Sequence, residues 1–149
     1  MPLAPGILLK NRYRISRFLS QGQAGAVYQG WDMQLKRNCA VKEYFDISLG
    51  NRQRFERMAG QLMGLDHPGL PKVWEAFLQR GSGLYLVMEY VEGEDLRQMM
   101  ARQAMAGRGG GLPEAQVVNW MSQVCDALET LHRQIPPLYH GDVKPANIR

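Results

Sequence analysis

The hydrophobic period of this chain changes once, near Gly93, and that change dictates two differently built parts. Ahead of it, apolar and polar residues alternate in short runs, the period of two that sends successive side chains to opposite faces of a strand. Such runs cover Tyr13–Leu19, Ala26–Trp31 and Cys39–Lys42, separated by the turn-rich stretches Gln21–Gly25 and Asp32–Lys36. From Asn51 to Leu65 the spacing becomes helical, with Phe55, Met58, Ala59, Leu62 and Leu65 on one stripe, and Asp66-His67-Pro68-Gly69 ends it. Two further strands are expected over Pro71–Phe77 and Leu84–Glu89, joined by Gln79–Gly83. After Gly93 the good helix formers of Asp95–Ala106 predict one helix, and the Gly107–Gly111 run breaks it. Pro113-Glu114 opens a second, whose Val117, Met121, Val124, Leu128 and Leu131 recur at steps of four and three. Five strands with one inserted helix, then helices, make an α+β chain in two lobes.

Composition narrows the class. At 149 residues, 45% hydrophobic and 21% charged, the chain is a soluble globular one rather than a disordered or collagen-like sequence. No run approaches the roughly 20 apolar residues that span a bilayer, so no membrane anchor is visible. The first ten residues lack the pattern of a secretory signal. Cys39 and Cys125 alone fit a reducing, cytoplasmic setting and two buried thiols better than a bridge. A net charge of +4 tolerates phosphate ligands or nucleic acid and specifies neither. Lys10, Arg12, Arg14 and Arg17 have few interleaved aromatics, so they read as a solvated strand face and no nucleic-acid partner is expected.

Ser20-Gln21-Gly22-Gln23-Ala24-Gly25-Ala26-Val27 is a glycine-rich turn of the kind whose backbone N–H groups can cradle an oxyanion. A dinucleotide fingerprint needs a helix at its last glycine, but Gly25 runs into the strand-like Ala26-Val27-Tyr28. A phosphate loop of the Gly-Lys-Ser/Thr type is absent from the sequence. What remains is a hairpin whose turn folds over a ligand. In the next strand Ala40 and Lys42 share a face, offering a flat apolar surface beside a long ammonium, which suits a purine with its phosphates beyond it.

Tyr139-His140-Gly141-Asp142-Val143-Lys144-Pro145-Ala146-Asn147 completes an ordered set with that loop and lysine. From about Arg12 to Arg149 the chain resembles a protein kinase of the Ser/Thr class, in its bacterial form. The resemblance implies a protein-kinase-like two-lobed fold: residues 1–11 as an N-terminal extension, 12–92 as an ATP-binding lobe with a five-stranded antiparallel sheet and one helix, and 93–149 as the start of a helical lobe, cut after its catalytic loop. It also implies ATP and Mg2+ as cofactors and a protein Ser/Thr hydroxyl as acceptor. By position, Gly22 and Gly25 would cover the phosphates, Val27 and Ala40 would cap the adenine, and Lys42 would pair with the α- and β-phosphates. Met88 would be the gatekeeper, Glu89 and Val91 would meet the adenine edge through their backbone, and Asp95 would lie near the ribose. Asp142 would accept the hydroxyl proton, Lys144 would neutralise the moving phosphoryl group, and Asn147 would hold magnesium.

Three positions depart from the family pattern. Ser20 stands at the first loop glycine, and Gly141 replaces the arginine before the catalytic aspartate. Met58 occupies the place of the helix glutamate that pairs with the lysine; Glu56 lies about 200° around the helix from it. Glu43 faces away from Lys42. These departures keep two other readings in view: a nucleotide-binding scaffold without turnover, and a small-molecule phosphotransferase of the same fold. Without Asp-Phe-Gly and Ala-Pro-Glu segments, the chain by itself is expected to show no turnover and to expose apolar surface of its Val117–Leu131 helix.

Overall fold

A computed structural model describes residues 2–79, 83–107 and 111–149. The expected turns at 79–83 and 107–111 fall partly outside these residues. The chain divides into two compact units, Met1–Asp66 with Pro71–Tyr90, and His67–Leu70 with Val91–Arg149.

The first unit is an antiparallel sheet with one helix. Its strands are β1 (Leu8–Leu9), β2 (Tyr13–Gln21), β3 (Gly25–Asp32), β4 (Arg37–Tyr44), β5 (Val73–Gln79) and β6 (Gly83–Glu89), with α1 (Leu49–Met63) inserted before β5. The spatial order is β1-β2-β3-β4-β6-β5. The sheet therefore has six strands, not the five expected from the sequence. The extra strand comes from the N-terminal extension: Leu8 pairs with Arg14 and Leu9 with Tyr13, across a turn in which Lys10 and Asn11 both adopt positive φ. Two consecutive left-handed residues make the tight hairpin turn whose twist matches that of the strands it joins. Leu9 is wholly buried, so the short strand is anchored by its apolar end.

Each face of the sheet carries its own core. On one side lie Leu9, Tyr13, Ile15, Ala26, Tyr28, Cys39, Val41, Tyr85 and Val87. On the other, Phe55 and Ala59 of α1 meet Val73, Leu84 and Leu86, with Met58 and Leu62 half-buried beside them. This is the helical stripe read from the sequence, except that the helix stops at Met63, before Leu65. Fully burying an aliphatic or Phe side chain contributes about 2 kcal/mol, so each face is a substantial part of the unit's stability.

The β3–β4 turn has an electrostatic fastening. Asp32 is completely buried and accepts from Arg12 Nε at 2.9 Å and Arg12 Nη2 at 2.7 Å, as well as from the backbone N–H groups of Gln34 and Leu35. The Arg12 guanidinium, opposed by burial and helped by those two N–H groups, holds the Asp32 carboxyl below its ordinary value. Arg12 is thus committed to the turn and is not part of a basic face.

The second unit holds α2 (Leu96–Met105), α3 (Glu114–His132) and a single 3-10 turn at Pro145–Asn147. Gly107, with φ of +72°, takes the left-handed position that ends many helices. On α3 Leu131 of the predicted stripe is buried with Ala127 beside it, and Val117, Met121, Val124 and Leu128 are half-buried. Cys125 is one residue past Val124, about 100° around the helix, and is exposed; only Cys39 is the buried thiol that was expected. Burial pushes Cys39 up to about 11, which makes it inert.

Candidate active site

The register of β3, β4 and β6 decides which side chains share a face. Val27 pairs with Lys42, Ala40 with Met88 and Lys42 with Leu86. Directly paired residues of neighbouring strands point the same way, so Val27, Ala40, Lys42 and Met88 are brought together on one face. That is four of the residues assigned to nucleotide binding. Val27 and Lys42 are half-buried, and Ala40 has only 9% of its surface exposed.

The two loop glycines differ in what requires them. A Cβ on Gly22 would meet nothing within 4 Å, whereas one on Gly25 would lie 1.9 Å from the Glu43 carbonyl oxygen. Gly25 is demanded by the approach of β3 to β4; Gly22 faces open space. The loop closes through the Gly22 N–H, which donates to the Gly25 carbonyl at 2.9 Å.

Lys42 and Glu43 leave β4 on opposite faces, as their adjacency requires. The Glu43 carboxylate is buried and accepts from the hydroxyls of Tyr28, at 2.8 Å, and Tyr85, at 3.0 Å. On the other face the Lys42 ammonium sits 4.9 Å from the centre of the Tyr44 ring. Met58 of α1 is packed into the apolar cluster of that face. Glu43 faces away from Lys42 as the sequence implies, and Tyr44 is the residue here that sequence reasoning does not single out; its signal is its place two residues beyond Lys42, on the same strand face.

At the end of β6, the Glu89 N–H donates to the Lys72 carbonyl at 2.8 Å, and the Glu89 carboxylate accepts from the Lys72 N–H at 3.2 Å. In the second unit the Val91 carbonyl accepts from Arg149 Nη1 at 2.8 Å. Asp95 is buried as the N-cap of α2: its carboxylate accepts from the Gln98 N–H at 2.8 Å, and the Gln98 side-chain oxygen accepts from the Asp95 N–H at 3.0 Å. This reciprocal cap satisfies donors that a helix start leaves open. The carboxylate assigned to a ribose therefore has a structural task of its own.

The loop before the 3-10 turn brings Asp142, Lys144 and Asn147 together. Lys144 Nζ is 2.8 Å from Asp142 Oδ2. Asn147 Nδ2 donates to the Asp142 carbonyl at 2.8 Å and to Asp142 Oδ2 at 3.0 Å. Lys144 first, and Asn147 second, hold the Asp142 carboxyl below its ordinary value, so it is a carboxylate at neutral pH. The Asp142 side chain remains 61% exposed, open to a reactant. Gly141 has φ of +72°, a conformation that the arginine usual at this place would adopt only with strain.

With its Nδ2 engaged by Asp142, Asn147 has its amide oxygen left to offer, a hard donor that fits Mg2+, which takes few protein ligands alongside substrate phosphates. Among the described residues no cluster of three His, Cys, Asp or Glu side chains could hold a metal ion by itself. Among them, too, no helix is long and apolar enough to cross a membrane.

Comparison with known proteins gives the family and the fold. Residues 13–148 match the protein kinase domain model. The Ser/Thr-protein kinase PrkC of Bacillus subtilis is 32% identical over 96% of this chain and 21% of its own length. PknA of Mycobacterium tuberculosis is 33% identical over 96% of this chain and 33% of its own. For pkn2 of Myxococcus xanthus the values are 31%, 98% and 17%. The chain therefore spans a third or less of these curated relatives. Among solved structures, the PknI kinase domain of M. tuberculosis superimposes with a TM-score of 0.77 at 30% identity, covering 98% of this chain and 56% of that one. The sequence match across nearly the whole chain and the shared fold lead to one statement: this chain belongs to the protein kinase family.

Proposed function

We propose that the protein carrying this chain transfers the γ-phosphoryl group of ATP to a Ser or Thr hydroxyl of a protein. The observation that carries the proposal is the Asp142–Lys144–Asn147 constellation, in which a carboxylate, a cation and an amide converge from six residues of one loop. The names of the relatives, all Ser/Thr-protein kinases, support the same class of acceptor.

Phosphoryl transfer asks a protein for positioning and charge neutralisation more than for covalent work. Val27, Ala40 and Met88 supply an apolar surface for the adenine, and the backbone of Glu89 and Val91 its polar edge. Gly22 and Gly25 lie over the phosphates, and Lys42 offsets the α- and β-phosphate charge. The acceptor hydroxyl donates its hydrogen bond to the Asp142 carboxylate. As its oxygen bonds to the γ-phosphorus and the bond to the ADP oxygen breaks, the proton passes to Asp142 and then to solvent. Lys144 steadies the negative charge on the moving group. Asn147 would hold Mg2+, which neutralises phosphate charge when bound.

A second reading, a nucleotide-binding scaffold, is favoured by one observation: Met58 lies within the apolar cluster, at the position of the family's helix glutamate. Turnover of the full-length protein with ATP decides between them. Phosphate on protein Ser or Thr that is lost in Asp142→Ala supports the kinase. Labelled phosphate found only on small-molecule acceptors such as aminoglycosides or sugars would overturn the choice of acceptor, and ATP binding with equal background in both proteins would favour the scaffold.

A further inference from the structure

Tyr44 lies two residues beyond Lys42 on β4 and on the same face. Its ring meets one cation and one other aromatic ring. The Lys42 ammonium is 4.9 Å from its centre, within the range of a cation–π contact. On the α1 side, the Phe55 ring meets it at 5.3 Å and 66°, in edge-to-face geometry. Phe55 is buried with Ala59 of the same helix, so this contact is part of the helix–sheet core. The three side chains form a continuous aromatic link from helix to lysine. We infer that Tyr44 is a positioning residue: its ring holds the Lys42 ammonium and couples it to α1.

The physical basis is that a ring face is an electron-rich surface whose attraction survives partial burial. Tyr44 is itself half-buried, packed on the cluster that includes Leu84 and Leu86 and paired in register with Leu84. Its ring is therefore held from beneath while its face meets the lysine. A lysine alone has a long flexible stem, and a fixed ring limits the rotamers open to it. The helix contact adds a second consequence: a shift of α1 that moved Phe55 would loosen the support of the ring, and so of the lysine. The inference rests on the reading of Lys42 as the phosphate-binding lysine.

The test combines NMR with nucleotide affinity in the full-length protein. In the wild type, ring current moves the Lys42 Hε resonances upfield of those of Lys36 and Lys144; resonances at the ordinary position would overturn the inference without any variant. Tyr44→Leu is expected to return them to that position and to weaken ATP binding about two- to fivefold, the range of an exposed to partly desolvated cation–π contact. Tyr44→Phe, which keeps the ring, restores both. Equal loss in Tyr44→Phe and Tyr44→Leu would assign the effect to the hydroxyl and overturn the role of the ring. Lys42→Met separates the two levels. If it weakens ATP binding while Tyr44→Leu does not, the inference about Tyr44 fails alone. If Lys42→Met leaves ATP affinity unchanged, the reading of Lys42 fails and Tyr44 has no part in nucleotide binding.

Discussion

Asn147 donates from one nitrogen to both the carbonyl and the carboxylate of Asp142, at 2.8 and 3.0 Å. Two of the three loop residues of the proposed chemistry thereby fix each other. Asn147→Ala should remove that tie and the amide oxygen together. Both groups are exposed, so the melting of the protein should stay within about 0.5 kcal/mol of wild type. Phosphoryl transfer by the full-length protein should fall by about a hundredfold, the scale of losing one electrostatic contact in a reacting centre. A variant of wild-type activity would remove Asn147 from the site.

Lys144 and Asp142 give a titration with a definite sign. The Asp142 carboxyl is depressed in the folded protein, chiefly by Lys144, so it stays ionised to a lower pH than an ordinary aspartate. Lys144→Met should move its midpoint upward, and Asn147→Ala should move it by less. The 13C titration of the Asp142 carboxyl measures this directly. A midpoint that Lys144→Met leaves in place would mean that the pair does not persist in solution.

The Arg12–Asp32 pair sets the acid stability of the sheet. Asp32 is depressed in the folded state, so its contribution is fully present above its ordinary value of 3.8 and is lost as pH falls through the lower folded value. Arg12→Leu leaves a buried carboxylate without its cation and should cost about 3 kcal/mol at pH 7. The deficit should shrink below pH 3.8, where Asp32 can take up a proton. Urea melts across that range check both the size and the direction.

Gly22 and Gly25 should separate under the same substitution. Gly25→Ala drives a methyl group into the Glu43 carbonyl and should destabilise the unit by about 2 kcal/mol, whatever is bound. Gly22→Ala meets open space and should leave the melting temperature alone. Any effect of Gly22→Ala is then confined to ATP affinity, which a thermal melt with and without nucleotide reads out.

Much of this was legible in the chain because it depends on local period and short motifs. Alternation located the Lys42 strand and put Ala40 and Lys42 on one face, and the stripe from Phe55 to Leu62 located α1. The six residues from Asp142 to Asn147 needed no tertiary context, since the loop closes on itself. The extra strand was missed because two leucines are too short a run to show a period. Its signal was the turn, where Asn11, a residue tolerant of positive φ, precedes Tyr13-Arg14-Ile15. The two tyrosines on Glu43 were beyond reach for a different reason: they arrive from β3 and β6, and only the sheet register brings them to one carboxylate. Asp95 was assigned by family position, whereas its capping partner stands three residues away in the sequence as Gln98. Gly141, which departs from the family's arginine, has a positive φ that only the folded backbone reveals.

The central claim is that Asp142 serves protein phosphorylation. The most direct measurement is phosphate incorporation from labelled ATP and Mg2+ by the full-length protein beside its Asp142→Ala variant, with phosphoamino-acid analysis of the product. Phosphoserine or phosphothreonine is expected from the wild type and none from the variant. Equal incorporation by the two proteins, or none by either while both bind ATP, would contradict it.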